Sequence, residues 1–133
     1  VRRLALGAFA VAVVFVAVTL LALEGGEVVV LRTFDGQRRP RETRTWIADA
    51  DGAAWIEAAS PERPFLGELA ANPAVELRRG GVWRACRAEM RPNPEGHVRI
   101  RALLGARYGW ADRWIGMLAD TSRSAAVRVE CGA

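Results

Sequence analysis

Residues 4–23, LALGAFAVAVVFVAVTLLAL, are 20 consecutive positions without a charge, and Arg2 and Arg3 precede them. In a helix this stretch rises about 30 Å, enough to cross the hydrocarbon core of a bilayer. Three readings compete for it. An uncleaved membrane anchor fits the length. A cleavable signal peptide usually has a shorter apolar core, of about 7–15 residues, and ends in a small-x-small site; Leu20–Leu21–Ala22 does not supply one. A buried core helix is the third. The anchor reading is favoured, because in lipid the backbone must satisfy its own hydrogen bonds and a helix is the only single-segment solution. The expected organisation is an anchor over residues 1–23 and one domain over 24–133. Basic residues flank only the amino-terminal side until Arg32, so the positive-inside rule places the domain outside the cytoplasm, on an asymmetry of two residues. The localisation expected is a single-pass protein of the cell membrane, with the side left open.

The rest of the chain is ordinary in its charge. There is no lysine; two of the 19 arginines lie before the apolar run, so 17 arginines face 15 acids after it. About 110 residues suit one core and not two. A chain whose bases are all arginine has a basic isoelectric point even at small net charge, because arginine stays ionised at high pH. The arginines are interspersed with acids and nowhere form a run of four, which argues against nucleic acid as a partner.

Periodicity predicts the order β-β-β-α-β-β-α-α-β. Val28, Val29, Val30 and Leu31 form a first strand, residues 41–48 a second and residues 53–59 a third. Asp51–Gly52 between the last two reads as a hairpin turn. Ser60, Pro61 and Glu62 read as a helix start, with Ser60 as cap, and Asn72–Pro73 as its stop. Strands follow at Val75–Leu77 and over residues 82–90, joined by Gly80–Gly81. Helices over residues 97–107 and 110–118 precede a last strand over 125–130. Hairpin connections and one-sided strands predict an α+β, mainly β fold: a six-stranded antiparallel barrel-like sheet with short helices.

Much chemistry has no motif here. His97 has no ligand partners at metal spacing, so no metal site is expected. Cys86 and Cys131 form no CxxC; in an exported domain they could pair if strand five meets the chain end. Phosphate loops, dinucleotide fingerprints and nucleophile elbows are missing. Two constellations remain. Residues 60–63 join a strand to a helix start beside Arg63, and Arg41 or Arg44 of strand two could reach them, which would make an anion site. Arg41 and Arg44 differ by three and so point to opposite faces. The plainer reading is surface arginines and a capped helix. Tyr108, Trp110 and Trp114 form the second group, readable as a core plug, a membrane-interface belt or a lid over a planar ligand.

The order of several short motifs resembles the deazaflavin-dependent nitroreductase family. These are Pro40–Arg41–x–Thr43, the Asp-Gly hairpin, Ala59–Ser60, Leu69–x–x–Asn72–Pro73–x–Val75, Ala85–x–Arg87–Ala88, and Tyr108, Asp112, Thr121–x–Arg123 and Val127 at the end. The resemblance implies a flavin-type split β-barrel that binds a deazaflavin coenzyme (F-420) or FMN and reduces quinone-like or nitro compounds by hydride transfer. It implies that Arg41, Thr43, Ser60 and Arg63 bind the cofactor. Tyr108, Trp110 and Trp114 would shape the side that takes a small planar apolar substrate. It also implies a homodimer, and a coenzyme that is cytoplasmic, against the outward orientation above. The chain departs from the family pattern after Ala59, where the loop is shorter and Arg63 stands in place of a lysine. A non-catalytic ligand-binding module tethered at the membrane is the alternative function.

Overall fold

The computed structural model describes residues 1–132. Four helices, α1 (Arg2–Glu24), α2 (Pro64–Ala71), α3 (Glu95–Tyr108) and α4 (Trp110–Leu118), accompany six strands. The strands are β1 (Val28–Phe34), β2 (Pro40–Ala50), β3 (Ala53–Ala58), β4 (Ala74–Arg79), β5 (Val82–Arg91) and β6 (Ala125–Cys131). All neighbours are antiparallel, and they close a barrel in the order β1-β2-β3-β6-β5-β4. The α+β barrel expected from the pattern is the fold observed.

Turn chemistry sets the register. Ala50 pairs with Ala53, which leaves Asp51 and Gly52 as a two-residue turn, with φ of 54° and 72°. Arg79 pairs with Val82 across Gly80 and Gly81, again at positive φ. Two positive φ values in a two-residue turn match the right-handed twist of the flanking strands. Alternation then decides the inside. Val29 and Leu31 of β1, Ile56 of β3, Leu77 of β4 and Val127 and Val129 of β6 fill the barrel. The α2 residues Phe65, Leu66 and Leu69 join that core. Each such side chain contributes about 2–3 kcal/mol by leaving water. The outer face of β2, β3 and β6 is covered by α3, whose Ile100 and Leu104 pack on Ala48, Trp55 and Ala126. Covered on both sides, β3 is buried at five of its six positions.

Three local expectations change. The helix expected to start at Ser60 begins at Pro64, with Arg63 at the cap position and no side-chain cap. Both Pro61 and Pro64 suit a first helical turn, and the later one is used because it places Phe65 and Leu66 in the core. Strand one runs on to Phe34, since Thr33 continues its inward alternation. Cys86 and Cys131, treated above as an open pairing, are opposite each other in the β5–β6 register and form a disulfide.

Helix α1 stands apart. Its 18-residue apolar window has mean hydropathy 2.8, and none of it is buried. The buried-core reading of this segment therefore fails, and α1 is a helix long and apolar enough to cross a membrane. Only its carboxyl-terminal part touches the domain, through Ala22 and through Phe15 and Thr19 against α4.

Candidate functional site

The β2–β3 pair is zipped only near its hairpin. Registered pairing ends at Ile47 opposite Ile56. Beyond that point β2 runs back to Pro40 held by β1, while β3 runs on to Ala58 held by β6. The two strands splay, and the wedge between them is a cleft. Thr45 Oγ1 reaches the Glu57 carbonyl across it at 3.4 Å. Backbone groups on this side of β2 have no strand partner among the described residues, so they are open to a ligand.

One section of the cleft, about 490 Å³, lies between Arg41, Thr43 and Arg44 of β2 and Ala59, Arg63 and Phe65 at the start of α2. It shares Arg44, Thr45, Glu57 and Ala59 with a second section of about 690 Å³. That second section is walled by Leu23, Val28, Trp46, Leu104 and Ile115. The cleft thus runs from an arginine-bearing end to an aromatic and aliphatic end that touches the last turn of α1. Both sections fall in the size range of small-molecule sites.

The arginines differ in availability. Arg41 Nε donates to Glu68 Oε1 at 2.8 Å, and Thr33 Oγ1 donates to Glu68 Oε2 at 2.5 Å. Arg41 therefore serves first to neutralise a half-buried acid of α2. Arg44 and Arg63 make no ion pair or side-chain hydrogen bond among the described residues, and both are exposed. The Glu57 carboxylate is gripped by Arg101 Nη1 at 3.0 Å to each oxygen, and Arg101 Nη2 reaches Asp112 at 2.6 Å. Burial of Arg101 opposes its charge, but the hydrogen bonds it donates to Asp112 and Glu57 outweigh that and raise its pKa. This triad fastens β3 to α3 and α4 under the cleft.

Trp46 forms the aromatic wall and is held from both sides. Its indole stacks on Tyr108 with centroids 4.6 Å apart. A Cβ at Gly26 would lie 2.4 Å from its Nε1, so only glycine allows the α1–β1 linker to cross there. Tyr108 donates to the Ile47 carbonyl at 2.5 Å, and burial pushes its phenol pKa up.

The residues expected from sequence are thus distributed unevenly. Arg41, Thr43 and Arg63 meet at one end of the cleft, and Ser60 lies one residue beyond its lining. Arg41 and Arg44 leave β2 on opposite faces, yet both reach the rim because the strand edge itself is the rim. Tyr108 stands behind Trp46 and not in the lining. Trp110 is exposed on α4, and Trp114 packs on α1. Trp46 and Ile115 were missed as site residues. Trp46 is the lone aromatic of its strand, a signal that alternation alone assigns to packing. His97 binds the β6 approach, with Nδ1 2.9 Å from Ser124 Oγ. Among the described residues no group of three His, Cys, Asp or Glu side chains could hold a metal. The arrangement suits binding of an elongated ligand with an anionic end and a planar apolar end.

No protein-family model matches the sequence, and no curated protein matches it significantly. Solved structures do match. The heme storage protein HutZ from Vibrio cholerae is 16% identical, with TM-score 0.61, covering 84% of this chain and 86% of that one. An F420 reductase is 20% identical, with TM-score 0.55 and coverage of 81% and 88%. An FAD-binding protein from Mesorhizobium loti is 17% identical, with TM-score 0.54 and 84% of each chain covered. At these identities the likeness is one of fold: the chain is a split β-barrel of the kind seen in F420-, flavin- and heme-associated proteins.

Proposed function

We propose that this chain is a membrane-anchored oxidoreductase whose cleft binds a flavin-type cofactor and reduces planar quinone-like or nitro compounds. The observation that carries the reading is the pair of adjoining pockets in the β2–β3 split, which share Arg44, Thr45, Glu57 and Ala59, one bearing Arg63 and the other walled by Trp46. The names of two fold neighbours, an F420 reductase and an FAD-binding protein, support it. The residues fit such a group. Two unpaired guanidiniums suit a phosphate, the open β2 edge suits the polar rim of a ring system, and Trp46 with Leu104 suits its face. When bound, a deazaflavin (F-420) or FMN would supply the hydride chemistry. The chain's own part is to hold the anionic end with Arg63, Arg44 and the free nitrogens of Arg41, with Thr43 beside them. It also keeps the apolar end partly dry. Ser60 would contribute only if its loop closes on the ligand.

The test is titration of the full chain, in lipid nanodiscs, with oxidised deazaflavin coenzyme and with FMN, followed by absorbance and flavin fluorescence. Saturable binding at micromolar levels, followed by reduction of a soluble quinone or nitro acceptor, is the expected result. No binding of either cofactor overturns the reading. Binding without turnover favours the second reading, a non-catalytic ligand-binding module. The Cys86–Cys131 disulfide is the observation on its side. Such bonds belong to oxidising compartments, where the resemblance does not expect a deazaflavin.

A further inference from the structure

Helix α4 is short, and its surface is divided between two environments. Ala111 and Asp112 face the barrel and are buried, with Asp112 bound by Arg101. Trp110, Trp114, Met117 and Leu118 recur at i, i+4, i+7 and i+8, which is one helical stripe. Trp110 is 53% exposed, Met117 72% and Leu118 48%. An exposed stripe of this kind on a nine-residue helix is unusual for a water-facing surface.

The fourth member of the stripe says what covers the others. Trp114 Nε1 donates to Thr19 Oγ1 at 3.0 Å, and its ring packs on Phe15 at 5.6 Å. Thr19 in turn donates to the Phe15 carbonyl at 2.8 Å, so its hydroxyl is satisfied within the pair. Thr19 and Phe15 are four and eight residues before Leu23, the last apolar residue of α1. At helical rise they lie about 6 and 12 Å inside the apolar segment. If α1 spans a bilayer, Thr19 lies about 6 Å below the end of the apolar segment, a depth that the apolar face of a helix lying in the bilayer surface reaches, and the Trp114 N–H is satisfied there by the Thr19 hydroxyl. The exposed stripe is thus continuous with the lipid-facing surface of α1. Arg113, on the flank of the stripe, makes no ion pair among the described residues and can reach headgroup phosphates.

We propose that α4 is a second membrane contact, lying in the bilayer surface where α1 emerges and seating the barrel on the lipid through Trp110, Trp114, Met117 and Leu118. The proposal rests on the anchor reading of α1 and extends it. A tether alone leaves a domain free to tumble, whereas two contacts fix its face. That face carries the apolar end of the cleft, since Leu23 of α1 and Ile115 of α4 both wall it. Seated this way, the cleft opens at the lipid surface, and an apolar ligand can enter it from the bilayer.

The test uses full-length protein in vesicles of phosphatidylcholine and phosphatidylglycerol, with an environment-sensitive fluorophore on Met117→Cys or, as comparison, on Gln37→Cys. Gln37 lies in the turn after β1, at the far end of that strand from α1. The Cys86–Cys131 disulfide leaves no other thiol to label. The expected result is blue-shifted emission at position 117, with several-fold stronger quenching by spin-labelled lipid than at position 37. A water-like, unquenched label at 117 in protein that co-floats with vesicles overturns the seating and leaves the α1 anchor standing. Equal quenching at both positions overturns it too, since the barrel then has no fixed face. Protein that fails to co-float refutes the anchor and the seating together.

Discussion

The arginines that matter at the residue scale are those whose partners the sequence could not reveal. Arg79 donates Nε and Nη2 to Glu27 and Nη1 and Nη2 to Asp49, at 2.6–2.9 Å. Arg107 adds a second cation to Glu27. Hydrogen bonds from Arg79 hold both carboxyls below their ordinary values, against a smaller opposing effect of burial. A depressed folded pKa gives stability that is full above the ordinary values, 4.5 for Glu27 and 3.8 for Asp49, and lost as pH falls through the lower folded values. Urea midpoints should therefore drop as pH falls below about 4, and Arg79→Ala should flatten that drop. At neutral pH the same variant should cost roughly 1 kcal/mol, as expected for partly exposed pairs. An unchanged acid limb in the variant would assign the pH dependence to other groups. Arg41 and Arg63 separate in the same way. Arg41→Ala strips Glu68 of its cation, so stability should fall by roughly 1 kcal/mol along with ligand affinity. Arg63→Ala should weaken an anionic ligand by roughly tenfold or more, with the melting temperature unchanged. Equal affinity for wild type and Arg63→Ala would remove Arg63 from the phosphate end. Charge and motif order made these positions legible as cations. The 27-residue separation of Arg41 and Glu68 hid which one was already engaged.

Among elements, the hairpins were the most legible because their turns need positive φ and the sequence supplies Asp51–Gly52 and Gly80–Gly81. Helix α4 was placed with its observed limits, since Gly109 before it and the loss of apolar spacing after Leu118 are local signals. The start of α2 was not, because two prolines compete and only the core decides between them. The split was expected from the family resemblance alone: no local signal in β2 or β3 marks Ile47 as the point where their pairing stops. The β5–β6 edge was half legible, as two cysteines whose meeting depended on register. Cys86 and Cys131 close a span of 45 residues that includes α3 and α4. Replacing both by alanine should lower unfolding stability by about 2–4 kcal/mol, by releasing the unfolded chain from that loop. The barrel should still form, since β5 and β6 keep five further registered pairs. Denaturant unfolding of the double variant beside the oxidised protein measures this. A loss below about 0.5 kcal/mol would mean that the bond adds nothing to a sheet already closed.

Across the whole molecule, the anchor proposed for α1 raises the question of which side of a membrane the barrel would occupy, and two independent features bear on it together. Arg2 and Arg3 open α1 ahead of its apolar run, and no basic residue follows that run until Arg32. A disulfide joins the strands at the far end of the chain. Their agreement predicts an outward domain. Native Cys131 cannot report this by labelling, because it is bonded to Cys86. Gln37→Cys can, since Gln37 is exposed in a turn and contributes only its backbone N–H to the Asp35 carboxylate. A membrane-impermeant maleimide should label Gln37→Cys in intact cells without permeabilisation, and should label wild type only after reduction. Labelling of Gln37→Cys that requires permeabilisation would place the barrel in the cytoplasm. It would then restore a cytoplasmic deazaflavin as the natural occupant of the cleft. The outward result has the opposite consequence. A coenzyme confined to the cytoplasm could not reach Arg63, so the occupant would have to be exported with the domain or drawn from the bilayer past Leu23 and Ile115. The orientation experiment therefore narrows the cofactor before any cofactor is titrated.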